Sequence, residues 1–134
     1  MGEREDRAGS GRLVEVYPAA ALKLWGLLHR RYKGKNGSDV RADLVDALTD
    51  AAPWLDLTLV SESCRSSDHC LDAVISAVVA LAAKQGLTMP PTADESDIAT
   101  IEGWIHLPHP DASLDELGRR FCAATPDAQL EDPL

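Results

Sequence analysis

At 134 residues the chain has the length of one domain, and 45% hydrophobic with 26% charged residues describes a globular chain around a single core. No run approaches the roughly 18 apolar residues of a membrane span, so no membrane contact is expected. A net charge of −9 excludes non-specific polyanion binding by the surface as a whole.

The charge is unevenly spread. Residues 18–38 carry Lys23, Arg30, Arg31, Lys33 and Lys35 and no acid, a window of +5 that leaves −14 for the remainder of a chain at −9. The stretch from Thr88 to Leu134 holds ten acids against Arg119 and Arg120. Cys64, Cys70 and Cys122 are odd in number and lack CxxC spacing, which predicts free thiols in a reducing cytoplasm. The opening MGEREDRAGSGR has no apolar segment behind it, so no secretory signal is expected.

In chain order, residues 1–11 are polar with Gly and Ser and predict a flexible N-terminus. RLVEVY, residues 12–17, predicts a strand, ended by Pro18. Pro18 also suits the first position of a helix, AAALKLWGL, and a strand running straight into a helix points to α/β architecture. HRRYKGKNG, residues 29–37, reads as a basic loop, with Ser38 as the cap of a second helix carrying Val40, Leu44, Val45 and Leu48 at helical spacing. Pro53 stops that helix. WLDLTLV, residues 54–60, fits a buried strand or an irregular crossing equally well.

The clearest helix is predicted from about Ser67, a plausible cap with Ser66, to Gly86, a residue suited to the left-handed position after a helix. PPTADESD reads as a loop and a short helix start, and GWIHLP, residues 103–108, as a final strand. Residues 109–134 form an acidic tail with one amphipathic helix around Leu114–Cys122. Trp25, Trp54 and Trp104 are expected in the core.

A helical wheel of the long helix clusters Leu71, Ile75, Val78, Val79 and Ala82 as the core stripe. Asp68 falls inside that arc and Asp72, one turn on, at its other edge, whereas His69 turns away toward a second face of Ala73, Ala77, Ala80 and Ala83. Acids beside a buried stripe are costly unless paired with cations, a metal or hydrogen-bond donors. Asp68 can equally be read as a cap or a dipole partner, and Asp72 as a solvated edge position. If the 12–17 strand and the start of this helix converge, Glu15, Asp68 and Asp72 make an oxygen-rich cluster of the kind that holds Mg²⁺ or Mn²⁺. Metals on carboxylates serve nucleases and phosphotransfer enzymes. Arg30, Arg31, Lys33 and Lys35 would supply phosphate contacts and Tyr32 a base- or sugar-packing ring, although an ordinary solvated turn reads as well. His106 and His109, or Cys64, His69 and Cys70, make only weak zinc sets.

EVYPAAALKLWGL, the RRYKGK loop, SSDHCLDAVISA and IEGWIHLP occur in this order between about Arg12 and Pro108. Together they resemble a widespread prokaryotic family of predicted nucleases with a ribonuclease H-like fold, long carried as a domain of unknown function. The resemblance implies a two-metal site in which Glu15 and Asp72 are ligands, Asp68 a ligand or orienting group, and His69 an outer or proton-handling group. Members of that family begin with an aspartate-bearing strand and a hairpin, for which MGEREDRAGSG has no room. The chain therefore resembles the C-terminal half of the family's domain, residues 12–108, in a partial, helix-rich α/β fold. The function expected is a divalent-metal-dependent nuclease or a fragment of one. The alternative is a catalytically incomplete interaction or scaffolding module that pairs with itself or with a separate N-terminal half.

Overall fold

The computed structural model describes residues 11–124, which fold as a helix-rich α/β unit with a two-stranded parallel sheet. The predicted strand at 12–17 narrows to β1, Glu15–Val16, and that at 103–108 to β2, Ile105–His106. Glu15 stands opposite Ile105 and Val16 opposite His106. Beyond β2 the chain stays extended: Met89 N–H donates to Leu107 O and His109 N–H to Leu87 O, with Thr88 bridged antiparallel to Pro108.

Helix α1, Pro18–Leu24, starts on proline as expected and buries Ala21 and Leu22. Its end is a glycine cap: at Gly26, φ +74°, the N–H donates to Lys23 O, and Leu27 N–H to Leu22 O. A 3₁₀ turn, Lys35–Gly37, leads into α2, Ser38–Ala51. Ser38 is already helical and no side chain caps α2, so the expected serine cap is corrected to Gly37. Leu44, Val45 and Leu48 are buried as their spacing predicts, and Arg41 with them.

Residues 54–60 are irregular, and the next six, Ser61–Ser66, form a helix, α3, that the sequence pattern did not announce. SESCRS has a single apolar side chain, Cys64, to show a period. Helix α4, Asp68–Lys84, is capped by Ser67, whose Oγ accepts from Cys70 N–H, and buries Leu71, Ile75, Val78, Val79 and Ala82, the stripe read from the wheel. It ends with Gly86 at φ +72°, Gly86 N–H donating to Ala83 O and Leu87 N–H to Ala82 O. The alanine face opposite is not covered: Ala73, Ala77 and Ala80 are exposed.

Helix α5, Ser96–Glu102, lies largely in solvent and buries Ala99. Helix α6, Leu114–Ala124, covers the predicted Leu114–Cys122 and docks Leu114 and Leu117 into the core. Trp54 crosses it at Gly118, where a Cβ would fall 2.1 Å from Trp54 Cδ1, and its Nε1–H donates to Leu114 O at 2.9 Å. No tryptophan is fully buried, but Trp25 and Trp54 pack on the core. The core gathers Leu22, Leu44, Leu48, Leu71, Ile75 and Leu117 around α4, which lies against α1 and both strands. All three cysteines are free, with Cys64 buried and Cys70 and Cys122 exposed. Among the described residues no helix is long and apolar enough to cross a membrane. The N-terminal residues before 11 and the tail beyond 124, for which flexibility and acidic character were expected, lie outside the described residues.

Candidate functional site

The connection from α1 to α2 is closely built. Arg31 has φ +65°, the one non-glycine residue with positive φ among the described residues. That conformation costs a side chain with a Cβ roughly 1–2 kcal/mol. It precedes Tyr32, whose ring enters the core at 1% exposure. On the far side of the turn, a Cβ at Gly37 would lie 2.5 Å from the Tyr32 carbonyl, so only glycine lets the loop fold back on itself.

Arg41 on α2 braces this turn from inside. At 4% exposure, its Nη1 donates to Tyr32 O at 2.8 Å and Gly34 O at 2.7 Å, and its Nε to Arg65 O at 2.9 Å. A buried guanidinium with no carboxylate partner among the described residues is tolerable only because three carbonyls accept its hydrogen bonds.

The braced turn then holds the acids of α4. Tyr32 Oη donates to Asp72 Oδ1 at 2.8 Å, Lys33 Nζ pairs with Asp72 Oδ2, and Gly34 N–H donates to Asp68 Oδ2 at 2.9 Å. Asp68 and Asp72 remain 18% and 20% exposed at their side chains, so each carboxylate is sheltered on one side and open on the other. The cost of placing acids beside the core stripe is thus met by loop donors. The Gly34 amide holds the Asp68 carboxyl below the usual carboxylate range against partial desolvation, with His69 and Lys33 adding to the effect. Burial pushes the Tyr32 phenol far above its ordinary value, aided by its bond to Asp72 and the negative field of both acids.

The structure therefore brings together Asp68, Asp72, Tyr32 and Lys33 of the predicted site residues, with Gly34 added. His69, one turn before Asp72, is 96% exposed with Nε2 3.8 Å from Asp68 Oδ1, on the outer side of the helix as the wheel placed it. Glu15 stands apart on β1. Its carboxylate lies over Gly103, where an added Cβ would come within 2.8 Å of Oε1 and 3.1 Å of Oε2. Gly103 also has φ +94°, so both backbone and space require glycine there. Among the described residues no three His, Cys, Asp or Glu side chains gather into a group able to hold a metal ion, and so Glu15 does not join Asp68 and Asp72 in one cluster. His106 is buried, with Nδ1 2.7 Å from Thr88 Oγ1, and His109 sits in a turn beside Asp111.

The donor set fits a divalent cation in a limited sense. Mg²⁺ keeps most of its water and is commonly held by one or two carboxylates together with substrate phosphate, and two acids one helical turn apart meet that need. They do not make an all-protein cage, and the Lys33 ammonium already rests on Asp72.

Of the basic residues, Arg30, Arg31 and Lys35 are exposed, and among the described residues their side chains have no ion-pair or hydrogen-bond partner. Tyr32, expected to pack on a base, is instead committed to the core and to Asp72. Arg41 went unanticipated. Its signal was present, since it precedes Leu44, Val45 and Leu48 at intervals of three, four and seven, on the buried face.

Residues 2–96 match the model of a protein family described as protein of unknown function (DUF429). No curated protein and no solved structure matches the chain.

Proposed function

The chain belongs to the DUF429 family of proteins of unknown function, and from that premise we propose that it is a nuclease-type module of ribonuclease H-like fold acting on phosphodiester bonds with a divalent cation. One observation carries this reading. Two carboxylates, Asp68 and Asp72, share one end of α4 with a basic turn whose Arg30, Arg31 and Lys35 have no protein partner among the described residues. Acids and unpaired cations carried by one turn and the helix end it clasps suit a metal and the phosphate it bridges.

Asp68 and Asp72 would hold Mg²⁺ or Mn²⁺, which when bound activates water and offsets charge on the phosphate. Tyr32 and Gly34 fix the two carboxylates in orientation, and Arg30 and Arg31 would meet the strand's phosphates. Glu15, held over Gly103 on β1, would stand outside this pair, and His69, exposed beside Asp68, would handle protons at the rim.

The test is Mn²⁺ titration by calorimetry of the wild type beside Asp72→Asn, Asp68→Asn and Glu15→Gln. Binding in the wild type that Asp72→Asn and Asp68→Asn abolish supports the reading, and no binding in the wild type sinks it.

A second reading is favoured by a different observation. Among the described residues the sheet has two strands, and Leu13, Tyr17 and Ile105 are exposed at it. A module that pairs with itself, or with a separate chain supplying further strands, would cover these side chains. Sedimentation of the chain at rising concentration separates this from a monomeric enzyme.

A further inference from the structure

The turn that clasps the acids has a second side. Between the α1–α2 connection and α2 lies an open groove of about 600 Å³, lined by Leu27, Leu28, Val40 and Ala47 and by the charged residues Arg30, Arg31 and Asp43. Val40, Asp43 and Ala47 recur at intervals of three and four and so share one face of α2. A volume of this size, mostly apolar with a few charged groups, suits a small organic ligand or one unit of a polymer.

One feature of both arginines and a second of Arg31 point to a use outside the fold. Neither guanidinium has a partner among the described residues, in a chain whose net charge is −9. Arg31 also occupies a left-handed backbone position that glycine or asparagine would fill with less strain. Strain of this kind, held in place by Arg41 and Gly37 behind it, points to a group that is used.

We propose that this groove seats one nucleotide unit of a single-stranded nucleic acid. The phosphate lies on Arg30 and Arg31, the sugar and base rest on the Leu27, Leu28, Val40 and Ala47 lining, and Asp43 accepts a hydrogen bond from a base N–H such as thymine N3–H. Charge complementarity selects the anion, and the apolar lining selects a flat organic body over bare phosphate. The inference rests on the nucleic-acid part of the proposed function and not on the metal. Arg31 directly precedes Tyr32, the donor to Asp72, so the groove and the acids are held by two sides of one turn.

The test is anisotropy of a labelled ten-residue oligothymidine with the full chain in EDTA, so that metal binding plays no part. Arg31→Gly is expected to weaken binding about tenfold and to lower the salt slope by about one. It should leave the melting temperature unchanged or raised, because glycine removes the left-handed strain. Ala47→Trp, which fills the groove, should weaken binding of the oligothymidine while hardly changing that of an abasic strand of equal length. The proposal is overturned if the wild type does not bind, if Arg31→Gly binds equally well, if the abasic strand binds as tightly as the oligothymidine, or if polyglutamate competes as effectively as DNA. Oligothymidine binding without Mn²⁺ binding would retain the groove and discard the nuclease reading, and the reverse pattern would do the opposite.

Discussion

Arg41→Met removes the guanidinium that braces the basic turn and keeps most of the side chain's volume. Three acceptors lose their donor: Tyr32 O, Gly34 O and Arg65 O. Hydrogen bonds from a charged donor contribute about 1.5–3 kcal/mol each, whereas carbonyls near the surface recover part of that from water. Losing the charge also removes the desolvation cost of a guanidinium at 4% exposure, which works in the opposite direction. Because Tyr32 O and Arg65 O lose the Arg41 donor and Gly34 O keeps just the Gly37 N–H at 3.2 Å, the loss prevails, and we expect about 3 kcal/mol, more than a hundredfold in the folding constant. Urea unfolding followed by circular dichroism measures it. The variant should also speed amide exchange at Gly34, whose N–H is held by Asp68 only while the turn keeps its shape. A loss below about 0.5 kcal/mol, or unchanged Gly34 exchange, would refute the bracing role.

Tyr32→Phe keeps the buried ring and deletes the donor to Asp72, for an expected loss of about 1–2 kcal/mol by urea unfolding. In the wild type the Tyr32 phenol is raised, so its protonated form stabilises the fold fully below the unfolded-state tyrosine value and that stability fades as the pH climbs above it. The Tyr32 part of the tyrosinate absorbance should thus appear only with unfolding. Asp68 has the opposite sign. Its carboxyl is depressed, so its contribution is present above the ordinary aspartate value and is lost as the pH falls through the lowered one, and Asp68→Asn should flatten the acid limb of a stability–pH curve. Gly118→Ala drives a methyl into the Trp54 ring and should cost about 1–3 kcal/mol with a shifted tryptophan emission; an unchanged melt would mean that α6 packs otherwise.

What the sequence made legible was periodic or locally punctuated. The five-residue stripe of α4, the glycine at its end and the proline opening α1 need no information from elsewhere in the chain, and each is found where its pattern puts it. The wheel likewise set Asp68 and Asp72 beside the core and His69 away from it. What satisfies those acids was not legible, because Tyr32 and Asp72 are forty positions apart and only the tertiary fold brings them together. The same distance hid the fate of Tyr32, which by composition alone looks like a surface aromatic in a basic loop. Arg41 was masked by its charge: residue type argued for solvent, while its position argued for the core, and three carbonyls decided the matter. The strands shrank because alternation over six residues sets only an upper bound on pairing, and β1 meets β2 over two.

The pairing of β1 with β2 carries a kinetic consequence. It joins the first described strand to one that follows α5, so the long segment that carries α1 to α5 must close before these four residues can meet. Loop closure on that scale is entropically slow, while α3 packs directly on its sequence neighbours α2 and α4. The helical layer should therefore assemble first and the strands last, with local opening running in the reverse order. The Val16 and His106 amides will then exchange ahead of those in the centre of α4. A segment that opens this readily at equilibrium is also the one through which Glu15 and Gly103 can separate without the rest of the molecule unfolding.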